Sequence, residues 1–146
     1  EASLIITKYF EQFPGIRNYI NDTLHGARQN KYVETIFGRR RPIWDVDSTN
    51  GIKKKAAERV AINMPIQGSA AEMIKVAMIA IQKDLNKLRM KSKMILQIHD
   101  ELIFESPENE EETLLKMVVK KMENAMKLSV PIVVDYGSGP SWLEAH

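Results

Sequence analysis

From about Ile52 to Leu88 the chain carries an almost continuous helical pattern, and a run of that length leaves only short stretches for everything else. Pro65 and Gly68 lie inside it. Proline removes a backbone donor and its ring meets the preceding turn, which predicts an interrupted helix with a kink near residues 63–68. Upstream, Leu4, Ile5, Tyr9 and Phe10 recur at helical spacing until Phe13-Pro14-Gly15 breaks the pattern. A second helix is predicted from Ile16 to about Gln29, with Ile16, Tyr19, Ile20 and Leu24 on its apolar face.

Strand signals occupy the gaps. Tyr32–Phe37 alternates, and Gly38 opens a turn into Arg39-Arg40-Arg41. Asp45–Asn50 reads as a polar connector. Lys93–Ile98 and Leu102–Glu105 read as two strands around His99-Asp100-Glu101, a hairpin with a polar tip. Ser106-Pro107-Glu108 is a helix start: a capping hydroxyl, proline at the first helical position, then acids facing the positive helix end. That helix carries Leu114, Leu115, Val118, Met122 and Met126 and is predicted to end near Leu128. Pro131–Tyr136 reads as a last strand, and Gly137–Pro140 as a loop before Trp142. The order predicts an α+β fold with helices on one face of a small antiparallel sheet.

Composition narrows the chemistry. At 146 residues, 44% hydrophobic and 27% charged, the chain suits one ordinary globular domain. Cysteine is absent, which excludes disulfides, thiolate-held zinc and thiol catalysis and favours a reducing compartment. His25, His99 and His146 are too scattered in sequence to suggest a histidine zinc site. The most apolar stretch, Met73–Ile81, contains Lys75 and falls short of the ~20 residues a spanning helix needs. The chain opens in helical periodicity without an initiator Met or a secretory leader, as expected of a piece of a longer protein. Basic charge gathers upstream: residues 1–60 hold eleven basic and seven acidic side chains, against four and eight in residues 105–146. Arg39–Arg41 and Lys53–Lys55 suit a polyanion such as a nucleic-acid backbone, although isolated triplets also form ordinary solvated turns and helix starts.

Two constellations stand out. Arg59, Asn63 and Gln67 are spaced by four, and each such step turns only about 40° around a helix, so the three share a narrow face. Exposed faces are usually filled by Lys and Glu. An Arg, an Asn and a Gln in line can instead offer hydrogen bonds to phosphate and to groove acceptors of a duplex. The second is Gln97–Leu102, whose predicted hairpin brings Asp100 to the tip, where a carboxylate can reach solvent, a metal ion and substrate. Two-metal phosphoryl transfer needs such a carboxylate, together with another from elsewhere. Asp is also common in turns for purely structural reasons. There is no Walker loop, no GxGxxG and no GxSxG elbow. Glu108–Glu112 is read as a helix N-terminal charge preference, and Met73, Met78, Met117, Met122 and Met126 as core filling.

Taken together, Tyr9–Gly15 (YFEQFPG), Tyr32–Arg41 (YVETIFGRRR), Ala57–Glu72 (AERVAINMPIQGSAAE), Gln97–Leu102 (QIHDEL) and Trp142–His146 (WLEAH) resemble the C-terminal part of family A DNA polymerases, the bacterial DNA polymerase I type. The resemblance implies residues 1–55 as the end of the fingers and the fingers–palm connection, and residues 56–146 as the C-terminal part of the palm. It implies that Asp100 is the motif C aspartate that holds catalytic Mg²⁺, with Glu101 in support. His99 would lie near the primer terminus, Asn63 and Gln67 would face the primer–template minor groove, and Arg41 and Arg59 would lie near the template strand. Motifs A and B are absent, so the isolated chain is expected to be inactive. The implied partners are primer–template DNA, a dNTP bound mainly by upstream residues, and the upstream remainder of the polymerase. The implied location is the bacterial cytosol or nucleoid, with no membrane association. The alternative is a non-catalytic DNA-binding or assembly module on a palm scaffold.

Overall fold

A computed structural model describes residues 2–145; Glu1 and His146 lie outside the described residues. The chain divides into two compact units, Glu1–Ala70 and Ala71–His146.

In the first unit, α1 (Ala2–Gln12) and α2 (Pro14–Asn30) are separated by Phe13 alone, because Pro14 suits the first turn of a new helix and cannot continue the old one. Lys31 closes α2 in the left-handed region at φ 63°, its amide donating to the Ala27 carbonyl at 2.9 Å. The hairpin β1 (Tyr32–Glu34) and β2 (Arg40–Pro42) pairs antiparallel, Val33 opposite Arg41. The strand predicted to reach Phe37 stops at Glu34, because Thr35 turns the chain: its amide donates to the Arg39 carbonyl and its carbonyl accepts from Gly38, both at 2.9 Å. Gly38 sits at φ 82°, where a side chain would be strained.

A short 3₁₀ turn, Trp44–Asp47, overlaps the start of the predicted connector and leads to the long helix α3 (Gly51–Lys87). This helix runs unbroken through Pro65 and Gly68, contrary to the predicted interruption. Near the proline, the Tyr19 hydroxyl donates to the Ile62 carbonyl at 2.8 Å, and the Ser69 hydroxyl donates to the Pro65 carbonyl. The first is a tertiary bond from α2 and the second a local one within α3; the tertiary bond helps hold the stretch where local propensity alone argues against helix. The core of the unit gathers Ala27, Val33, Ile43, Val46 and Ala61, flanked by Leu24, Ala57, Val60 and Met64.

Gly68 is where the hairpin turn meets the helix. A Cβ there would lie 2.7 Å from Cγ2 of Thr35, which is buried and whose Oγ1 accepts from the Arg39 amide at 3.1 Å. Beside it, the buried Ser69 hydroxyl accepts from the Ile36 amide at 3.0 Å.

In the second unit, β3 (Lys93–Ile98) and β4 (Glu101–Glu105) form an antiparallel hairpin with a register shift between Met94 and Leu96, which leaves Ile95 as a bulge. The later part of α3 and the helix α4 (Glu111–Glu123) build the core: Ala77, Ile81, Leu85, Leu114 and Val118, with Leu102 and Phe104 of β4 and Met90, Met117, Met122 and Ala125 packed against it. Both helices present these residues at steps of four, the spacing that keeps side chains on one face. Lys121 and Asp84 pair at 2.8 Å between them. The α+β class holds, with the antiparallel pairing divided between two two-stranded hairpins, one per unit.

Three predicted details differ. Helix α4 begins only at Glu111, after a 3₁₀ turn at Glu108–Glu110, and the Ser106 hydroxyl bonds Ser92 Oγ at 2.8 Å in place of a helix amide. It ends at Glu123 and not near Leu128, because the Asn124 side chain takes the Lys120 carbonyl at 2.8 Å. Pro131–Tyr136 forms no strand: among the described residues no other segment pairs with it, and Val133 and Tyr136 are exposed. A last short helix, α5, covers Trp142–Ala145. Among the described residues no helix is long and apolar enough to cross a membrane.

Glu110 fastens the start of β3 to the approach of α4. Its carboxylate accepts the Lys91 amide and the Ser92 amide, each at 2.9 Å, and the Ser92 hydroxyl at 2.6 Å. The Lys91 amide first, then the Ser92 groups, hold the Glu110 carboxyl below the usual carboxylate range. The unfolded chain therefore binds the proton more tightly, so this contribution is full above the ordinary glutamate pKa and fades as pH falls through the lower folded value. Glu110→Gln is expected to lower Tm by a few degrees at pH 7, with the gap from the parent closing below about pH 4. Parallel thermal melts at the two pH values check this, and a gap that stays constant would contradict it.

Candidate nucleic-acid face and metal-ligand position

The first unit holds four of the singled-out side chains. Arg59, Asn63 and Gln67 are all exposed along α3, on the narrow face that their four-residue spacing sets, while Ala61 between them is buried in the core. Lys55, exposed one turn earlier, extends the same ladder; its spacing from Arg59 was the available signal, obscured by its place in a lysine triplet. Arg41 is exposed in β2. Its neighbour Arg40 is committed locally, with Nε 3.0 Å from Glu34 Oε2 and the guanidinium 4.5 Å from the Tyr32 ring centroid. The Glu34 contact, then Tyr32, raises the Arg40 pKa, keeping it charged. Glu58, beside Arg59 in sequence, is paired to Arg28 at 2.8 Å, so that acid is neutralised. The face thus offers amide and guanidinium donors, the groups that contact phosphates and groove acceptors.

The second unit holds the other three. Ile98 pairs with Glu101, which leaves a two-residue turn made of His99 and Asp100. His99 takes the left-handed conformation at φ 53°, uncommon for a residue with a Cβ, and the Gln97 side-chain amide donates to its carbonyl at 3.0 Å. The consequence is that Asp100 stands exposed at the tip, while Glu101 begins β4 and is half-buried. The sequence-based hairpin is present, with a tighter tip.

Asp100 brings a hard oxygen donor of the kind Mg²⁺ takes. Among the described residues no group of three or more His, Asp or Glu side chains could hold a metal ion. A divalent cation held at Asp100 would need further ligands from outside these side chains.

Sequence and structure comparisons agree with each other. The family described as DNA polymerase family A matches residues 1–144. DNA polymerase I of Caldicellulosiruptor bescii is 46% identical over 144 residues, covering 99% of this chain and 17% of the relative. DNA polymerase I of Bacillus subtilis is 47% identical over 145 residues, covering 99% and 16%. Among solved structures, the POL domain of Pol1 from M. smegmatis, in complex with DNA primer-template and dNTP, superposes with a TM-score of 0.97 at 44% identity. That match covers 99% of this chain and 26% of the other. The chain thus spans about a sixth of the length of these curated relatives.

Proposed function

The chain belongs to DNA polymerase family A, and from that premise we propose that it is the C-terminal part of a DNA-directed DNA polymerase that adds deoxynucleotides to a primer 3′-OH. In this reading residues 1–55 close the fingers and residues 56–146 complete the palm. The observation that carries it is Asp100, a carboxylate raised on a two-residue turn and exposed to whatever binds there.

Each residue has a task. Asp100 supplies a charged oxygen ligand to Mg²⁺, with Glu101 supporting the turn and His99 lying toward the primer end. Mg²⁺ held in part by Asp100 would supply positive charge to offset the negative charge developing on the transferred phosphoryl group. Asn63 and Gln67 donate to purine N3 and pyrimidine O2, acceptors present in the minor groove of every base pair. Such contacts accept any correct pair and weaken when a mismatch displaces the acceptor. Arg41 and Arg59 take template phosphates. The incoming dNTP and the second metal-binding carboxylate belong to upstream residues, so the partners are primer–template, dNTP and the remainder of the polymerase. The bacterial DNA polymerase I relatives support a bacterial cytosolic or nucleoid location.

Primer extension with Mg²⁺ and all four dNTPs, with and without the upstream polypeptide, tests the reading. Extension only when both parts are present is the expected result. DNA binding without extension in either case would favour a non-catalytic binding module.

A further inference from the structure

Trp44, the one tryptophan of residues 1–70, is 76% exposed. Its neighbours show how it is held there. Ile43 and Val46 are 3% and 0% exposed, both in the core of the first unit. The Ile43 amide donates to the Lys31 carbonyl at 2.8 Å, and the Ser48 amide to the Asp45 carbonyl at 3.1 Å, fixing both ends of the 3₁₀ turn. With the residues before and after it anchored inward, Trp44 is presented to solvent by a fixed turn and not by a pliable loop.

Its charge surroundings favour an anion on one side. Arg41 is exposed three residues upstream, a separation the backbone spans in at most about 11 Å. Asp47 is paired with Lys31 and lies 4.0 Å from Arg28, so it presents little free negative charge. Asp45, exposed next to Trp44, opposes a bound phosphate, so net charge alone does not make this a strong anion site. What the position offers is a wide exposed aromatic face with one exposed guanidinium three residues away in sequence. Unpaired nucleic-acid strands are held by this combination: the ring stacks on a base of any identity while the cation takes a neighbouring phosphate. Within a duplex the base faces are already stacked on one another, so an external indole gains nothing from them.

Resting on the polymerase reading, we propose that Trp44, with Arg41, is a stacking platform for an unpaired base of the template strand. It adds a single-strand contact to the duplex contacts assigned to Arg59, Asn63 and Gln67.

The test uses the full-length polymerase and its Trp44→Ala, Trp44→Phe and Trp44→Leu variants. Anisotropy titrations compare a labelled primer–template carrying a 5′ template overhang with a blunt duplex of the same paired length. Trp44→Ala is expected to weaken overhang binding roughly ten-fold and blunt binding by no more than about two-fold. Phenylalanine should restore most of the loss and leucine little, with Tm unchanged throughout. Equal losses on both substrates, or no loss on either, would overturn the proposal. Rescue by leucine as complete as by phenylalanine would also overturn it, and would point to the remaining polypeptide covering the indole. A parent protein that binds neither substrate would instead remove the polymerase reading beneath it.

Discussion

Asp100→Asn in the full-length protein is expected to reduce primer extension about a thousand-fold or more, near 4 kcal/mol in the barrier, while primer–template affinity stays within a few-fold. Asparagine keeps the size of the side chain and its place on a two-residue turn, and Asn tolerates turns as well as Asp does. What it removes is the negative charge that a metal-ligating oxygen needs. Because Asp100 is exposed, the substitution leaves no buried group unpaired, so loss of activity cannot be assigned to misfolding. Single-turnover extension measured beside anisotropy binding separates the two quantities. Parent-like extension by the variant would mean that the catalytic ligand lies elsewhere.

The largest effect on stability is expected in the second unit. Ile81 is 0% exposed and packs among Ala77, Leu85, Leu114 and Val118. Truncation to alanine loses the transfer energy of the buried methyls and leaves a cavity between two helices that Asp84 and Lys121 keep tied. Ile81→Ala should therefore lose about 2–5 kcal/mol. Ile79, two residues away and 71% exposed, is the control: Ile79→Ala should stay within about 0.5 kcal/mol. Denaturant titration of both variants provides the comparison, and equal losses would mean that this core is wrongly placed. Leu102 and Phe104 of β4 pack on the same cluster, so loosening it should also lower activity through the strand that follows Asp100.

The two constellations were legible in the sequence because each depends on local periodicity. Four-residue steps put Arg59, Asn63 and Gln67 on one helical face, and two apolar runs around His99-Asp100-Glu101 could scarcely do other than form a hairpin. The failures came where tertiary bonds override local preference. Pro65 looked like a break, yet the helix persists, with the Tyr19 hydroxyl of α2 bonded to the Ile62 carbonyl close by. Ser106 looked like a cap, but Ser92 takes its hydroxyl, and Glu110 gathers the donors of the Lys91–Ser92 segment instead. Pro131–Tyr136 had strand composition without a partner strand, and composition cannot report a missing partner. Nor does any periodicity announce that Gly68 faces Thr35, since such contacts join residues more than thirty positions apart.

That contact has a mechanical meaning. With no side chain at Gly68 and the Ser69 hydroxyl gripping the Ile36 amide, the arginine hairpin and α3 sit too close to slide past one another. Arg41 and the Asn63–Gln67 row therefore keep a constant spacing, like the jaws of a caliper locked by one screw. An insertion of one residue between Gly38 and Arg41 would shift the β1–β2 register and turn Arg41 toward the opposite face, so the length of this short turn sets what the hairpin presents beside the helix.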